Sequence, residues 1–241
     1  MANTNSLQFN GSTQYGRKDG PSNVFGVTNI TLELWFRREA TSSGQTMLAI
    51  GTVAGNTETV AFLRLDGSDK LVGRVASGAT AYSITSTTTI SASVWYHAAL
   101  VYNGSDIKLY LGTETTNDAQ DATPVSASGT LNTPSAGQDS MYVGAIGITN
   151  ETDIGNFFTG YVDEVRVWNI ARSQQSINND RAKEITAAVT GLVTCYHFSE
   201  GSGTTVADIT SSANNLTLTG TPTWSSTIPV WKNLNFQGAM I

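Results

Sequence analysis

One cysteine, Cys195, stands in 241 residues, so no disulfide can form within the chain and the redox compartment stays open. Histidine is nearly as scarce. His97 and His197 lie far apart, which argues against a zinc centre built on Cys and His ligands, and no Gly-x-Ser-x-Gly elbow accompanies them for serine hydrolase chemistry. Charged side chains are only 13% of the chain, with a net charge of -6 and a pI near 4.8. No basic stripe exists to meet phosphates, which excludes a nucleic-acid partner. No run approaches the ~18 apolar residues of a membrane span, so membrane insertion is not expected. The opening "MANTNSLQFNG" lacks the basic start and apolar run of a secretory signal. The expectation is a protein made soluble that leaves a cell, if it does, by another route such as lysis.

What is present points to strands. Gly numbers 23, and Ser, Thr and Asn are abundant, which suits short strands joined by many turns. "ITLELWFRR" alternates Leu32, Leu34 and Phe36 against Thr31, Glu33, Trp35 and Arg37, a half-buried strand. "WYHAALVYNGSDIKLYLGT" reads as a hairpin bending at Asn103-Gly104, while the Thr-rich "AYSITSTTTI" reads as an edge. Residues 113 to 138 are polar, carry Pro124 and Pro134, and read as a long surface connection with room for one short strand. Ser173 can cap the one credible helix, about 174 to 185, with Ile177 and Ile185 on one side. No linker divides the chain. Residues 1–228 read as one domain, and 229–241, with Phe236, Met240 and Ile241, as a C-terminal tail that is either a docked strand or a partner contact.

The stretch "GYVDEVRVWNIARS", residues 160 to 173, carries an acidic pair inside a strand. Strict alternation places Tyr161, Asp163, Val165 and Val167 on one face and Val162, Glu164, Arg166 and Trp168 on the other. Asp163 then falls on the apolar side. A carboxylate buried there has to be paired, hydrogen-bonded or metal-bound.

The pieces "LQFNGSTQY", "ITLELWF", "VWYHAALVYNGSDIKLYLG", "YVGAIG", "FFTGYVDEVRVWNIARS" and "GLVTCYHFSEGSG" followed by "TPTWS" occur in an order that resembles the laminin G-like, concanavalin A-like jelly-roll superfamily, in the branch with pentraxin-like domains. Two positions depart from that pattern: Gln14 replaces an acid often found at the first turn, and Tyr196 replaces a Trp in the return segment.

The resemblance implies an all-β, two-sheet antiparallel jelly-roll sandwich in which Leu32, Leu34, Phe36, Val165 and Val167 fill the core. Glu33, Trp35, Glu164, Arg166 and Trp168 then share an outer face on neighbouring strands. Either the helix covers this patch, or Trp35, Trp168, Glu164 and Arg166 form a sugar-binding floor. The family's structural calcium site would suggest Asp163 with carbonyls of Asn10 or Gly11, and Gln14 counts against it. Hydrogen bonds alone could equally hold Asp163. "LDGSDK" offers Asp66 and Asp69 as a second cation candidate, or a plain hairpin turn.

A glycosidase needs paired carboxylates on one face, and neither Glu33 nor Asp163-Glu164 has the spacing. The resemblance therefore implies a non-enzymatic module that binds carbohydrate or another cell-surface ligand, as in adhesion. The rival is a virion structural protein, a phage decoration or tail component. Its partners would be a second copy or a capsid, met through the tail, and its place would be outside a cell or on the virion surface.

Overall fold

The computed structural model describes residues 4–41 and 44–232. The tail residues Phe236, Met240 and Ile241 lie outside them. Two large antiparallel sheets form a jelly-roll sandwich. One sheet runs in the order Ala119–Gln120, Asp106–Thr113, Trp95–Tyr102, Ile30–Arg38, Thr159–Trp168, Ser6–Asn10 and Thr223–Ser225, with Leu192–Tyr196 also paired to Thr159–Trp168 and Val125–Ser126 to Asp106–Thr113. The other runs Thr205–Val206, Leu216–Thr219, Tyr15–Lys18, Met141–Val143, Gln45–Gly51, Thr59–Leu65, Lys70–Ser77 and Thr80–Thr89. The Thr-rich strand is the edge its composition implied. Its exposed hydroxyls leave no apolar rim for another sheet to pair with.

Alternating apolar residues from both sheets meet in one core. Leu32, Leu34, Phe36, Leu100, Leu109, Val162, Val165 and Val167 face Leu48, Ile50, Leu63, Leu71, Val75, Met141 and Leu216. Gly73 sits where Leu100 of the opposite sheet presses down, and an added Cβ would lie 2.5 Å from Leu100 Cδ1. No helix among the described residues is long and apolar enough to cross a membrane.

Strict alternation fails at the acidic pair. Trp35 pairs with Asp163 and Glu33 with Arg166, so the strand Thr159–Trp168 holds one residue more than its partner over that interval. Glu164 is the extra residue of this bulge and takes a left-handed φ of 48°. Asp163 and Glu164 therefore both leave the core side, and Tyr161 goes with them to lie under the Arg37 guanidinium. The expectation that Asp163 and Tyr161 share the face of Val165 and Val167 is corrected by that one inserted residue.

Ser173 caps the helix as expected, its hydroxyl accepting from Ser176 N, but the helix spans only Gln174–Asp180. It stops because side chains of the sheet below take the carbonyls that further turns would use. Arg166 takes those of Asp180 and Lys183, Trp35 that of Arg181, and His197 that of Ile185. Ile177 and Ile185 are both buried, the second beyond the helix end.

Candidate functional site

The helix and the loop after it close over the outer face of the nine-stranded sheet, and charge fills the interface. Glu33, with no exposed surface, accepts two hydrogen bonds from Arg172 Nη1 at 2.8 and 3.0 Å. The same guanidinium lies 4.1 Å from the centre of the Trp168 ring. Arg166 donates to Glu164 Oε2 at 3.0 Å. His197 Nδ1 meets Glu164 Oε2 at 2.9 Å, and Lys232 Nζ reaches Asp163 Oδ1 at 2.7 Å and Glu164 Oε1 at 2.9 Å. A second group holds His97 against the buried Asp118 carboxylate, with Arg181 Nη1 2.9 Å from Asp118 Oδ1 and its guanidinium over Trp35.

Burial pushes the Asp163 carboxyl up to about 7, with Lys232 opposing and Glu164 adding to the rise. Burial acts on Glu164 in the same sense, yet Lys232, His197 and Arg166 together hold it well below the usual carboxylate range. For His197, burial favours the neutral ring, but hydrogen bonds to Cys195 and Glu164 carry it to about 11. The group is thus an ion network with His197 protonated at neutral pH, and its chemistry is that of a clamp.

These positions correct two expectations. Trp35, Trp168, Glu164 and Arg166 are no more than 1% exposed, so a saccharide cannot reach them and they are no binding floor. Asp163 does not join Asn10 or Gly11. Asn10 pairs with Thr159, four residues or about 13 Å along the strand, and its carboxamide oxygen accepts the N–H groups of Ser12 and Thr13. Asp66 Oδ1 accepts the N–H groups of Ser68 and Lys70, and Asp69 pairs with Arg38 at 3.2 Å, which makes "LDGSDK" a self-satisfied hairpin turn.

Glu164, Cys195 and His197 do place ligand-type atoms within 4.8 Å of one another, a convergence hidden in sequence by the distance between Glu164 and the other two. Sulfur and imidazole do not suit calcium, which takes oxygen ligands. Any divalent cation would also have to displace Arg166, Lys232 and a protonated His197 from the one carboxylate they share. The residues present do not fit a metal.

The accessible side of the sandwich is the outer face of the eight-stranded sheet. Strand register lines up Thr217, Arg17, Tyr142, Ala49, Phe62, Arg74 and Ser83 in one row across it. The small sheet of Ile146–Gly147 and Ile154–Gly155 packs over the middle of that row, with Ile146, Ile148 and Ile154 against Tyr142 and Ala49. This ridge divides the face in two.

On one side lies an open groove of about 470 Å³, lined by Tyr15, Arg17, Lys18, Asp19, Ala213, Asn215, Thr217 and Thr219. Arg17 bridges two carboxylates, meeting Asp19 through Nε and Glu151 Oε2 through Nη2 at 3.0 Å. Ser140 Oγ lies between them, 2.9 Å from Asp19 Oδ1 and 2.5 Å from Glu151 Oε1, with its one proton shared. Asp19 is held below the usual carboxylate range, chiefly by its Arg17 hydrogen bond. Residues such as Tyr15 with Arg17, and Thr217 with Thr219, reach this face because each pair sits two apart in a strand. That alternation is visible in "QYGRK" and "LTLTG" but reads there as an ordinary solvated face.

A sandwich of this topology, with a helix-capped return strand on one sheet and an open groove on the other, belongs to the lectin-type jelly rolls. The laminin G-type model of the concanavalin A-like lectin/glucanases superfamily matches residues 10–178, and the chain belongs to that family. Among solved structures it is similar to a candidate carbohydrate-binding protein from Bacteroides ovatus ATCC 8483, at 20% identity and TM-score 0.69 over 93% of this chain and 60% of that one. The chain thus spans about three fifths of that protein's length. It is also similar to the CBM40 of Ruminococcus gnavus IT-sialidase bound to α2,3 sialyllactose, at 13% identity and TM-score 0.56 over 72% and 94% of the two chains. Domains LG4-5 of the mouse laminin α1 chain align at 16% identity and TM-score 0.51, over 79% and 46%. No curated protein matches the sequence.

Proposed function

We propose that the chain is a non-catalytic carbohydrate-binding module that holds a saccharide in the groove beside Tyr15. The observation that carries this reading is the groove itself. It is open, holds about 470 Å³, and combines a half-buried aromatic ring with the hydroxyls of Thr217 and Thr219, the amide of Asn215 and the charges of Arg17 and Lys18. Sugars are recognised by that mixture, with a ring for their C–H face and fixed donors and acceptors for their hydroxyls. The Ruminococcus gnavus relative, bound to sialyllactose, supports the same class of ligand.

Catalysis has no comparable support. A glycosidase acid must keep its proton, whereas Asp19 and Glu151 share the Arg17 guanidinium and form an ion triad. The test is a glycan array followed by calorimetry on the best binder. Tyr15→Ala and Asn215→Ala are expected to weaken binding about tenfold each, and melting curves separate that loss from the packing of Tyr15 on Tyr142 and the Asp208 N–H that Asn215 accepts. Binding that survives both changes would place the site elsewhere, and an empty array would remove the reading.

A further inference from the structure

Six of the eight arginines in this acidic chain are held in ion pairs: Arg17, Arg37, Arg38, Arg166, Arg172 and Arg181. Arg64 and Arg74 are the other two. They stand on the far side of the ridge from the groove, on the outer face of adjacent strands, and both guanidinium groups lie over the Phe62 ring, at 5.0 and 5.8 Å from its centre. Arg64 faces Val72 and Arg74 faces Phe62, so the two arginines are diagonal neighbours on one face.

No acid among the described residues forms a salt bridge with either. Arg74 donates to the Asn56 carboxamide, and the Nε atoms of both arginines are buried without a hydrogen-bond partner among the described residues, as is the hydroxyl of Thr46 opposite Arg64. Burial, then repulsion from Arg64, lowers the Arg74 pKa, and no carboxylate offsets either effect. Two like charges kept side by side, half-buried and unneutralised, in a protein of net charge -6 are an arrangement that an oxyanion would complete.

We propose that Arg64 and Arg74 form a second subsite that binds the carboxylate or sulfate of an acidic saccharide. The proposal rests on the carbohydrate reading above and specifies its ligand class. The guanidinium forks match either oxyanion through paired N–H bonds, while the exposed Ser83 and Thr85 supply neighbouring hydroxyls from the adjacent edge strand. A nucleic acid is a poor fit, since two arginines on an otherwise acidic surface cannot track a phosphate backbone.

The test is calorimetry of the full chain against three oligosaccharides of equal length, one uronic, one sulfated and one neutral, with sodium sulfate as a fourth titrant. The acidic sugars are expected to bind about tenfold or more tightly than the neutral one, corresponding to about 1.4 kcal/mol or more. The preference should shrink at high salt. Arg64→Gln with Arg74→Gln should abolish it, and Arg64→Lys, which keeps the charge but loses the fork, should retain some of it. Melting curves of each variant separate lost binding from lost folding.

Equal binding of acidic and neutral sugars would overturn the subsite and leave the carbohydrate reading standing, as would an undiminished preference in the folded double variant. Sulfate binding as tightly as the sugars would show a bare anion site and overturn the saccharide assignment. Binding of none of the four would remove both.

Discussion

Lys232→Met probes the ion clamp at its most distant member. Lys232 Nζ serves two carboxylates at 2.7 and 2.9 Å, and all three side chains are 1% exposed or less. Removing one partner of a buried ion pair costs about 3–5 kcal/mol, because the remaining charge has neither water nor counter-ion. Glu164 retains Arg166 and His197, and Asp163, already raised to about 7, can accept a proton instead. The low end, about 3 kcal/mol, is therefore expected near neutral pH. For a domain of this length that lowers the melting temperature by about 6–12 °C.

The pH dependence makes the prediction specific. Without Lys232 the folded Asp163 pKa rises further above its unfolded value near 3.8, so the variant loses more stability than the parent as pH climbs from 4 through 7 and beyond. The gap between the two should be narrower at pH 5 than at pH 8. Paired urea titrations at both values measure it. A loss under 1 kcal/mol at pH 8, or a gap that does not change with pH, would refute the clamp.

Three more outcomes are expected. Folded His197 keeps its proton to about 11, against an ordinary value of 6.5, so its stabilisation is complete below pH 6.5 and declines steadily as pH rises through 11. His197→Gln should flatten that alkaline decline in a series of melts from pH 6 to 10. Gly51→Ala should destabilise by about 2 kcal/mol or more, since φ is 83° and the new Cβ would sit 2.1 Å from Glu58 O. Urea titration reads it directly, and an unchanged midpoint would contradict the contact. Calcium and chelator should give the same melting temperature, because Lys232 already occupies Asp163; a rise of several degrees with calcium would reverse that assignment.

The sandwich was legible because its signals are local. Leu32, Leu34 and Phe36 face the core and Glu33 and Trp35 face outward as alternation requires, and the strands bearing Trp35 and Arg166 are neighbours. The shared outer face of Glu164 and Arg166 and the Ser173 cap could be read for the same reason. What escaped depends on insertion or distance. Nothing in "YVDEVRV" marks Glu164 as the extra residue, since a non-glycine residue in the left-handed region leaves no compositional trace. Glu33 is matched by Arg172 and Asp163 by Lys232, partners that only the folded chain brings near. Asp118 lies in a polar stretch with the composition of a surface connection, yet it is buried to receive His97 and Arg181.

The first and last strands of the nine-stranded sheet have a mechanical consequence. Ser6 stands opposite Ser225 and Gln8 opposite Thr223, while Ser6 Oγ donates to Thr227 O at 2.7 Å. A pull applied through residues before Ser6 and after Lys232 would load this antiparallel pair from its open end. Its hydrogen bonds would then break in succession, like a zipper, instead of sharing the force. The Lys232 clamp lies between the pulling point and that zipper, so it must break first. Charge at Asp163 and Glu164 therefore sets the force at which the domain begins to open, and because burial raises the folded Asp163 pKa, that force should fall as pH climbs from 4 through 7.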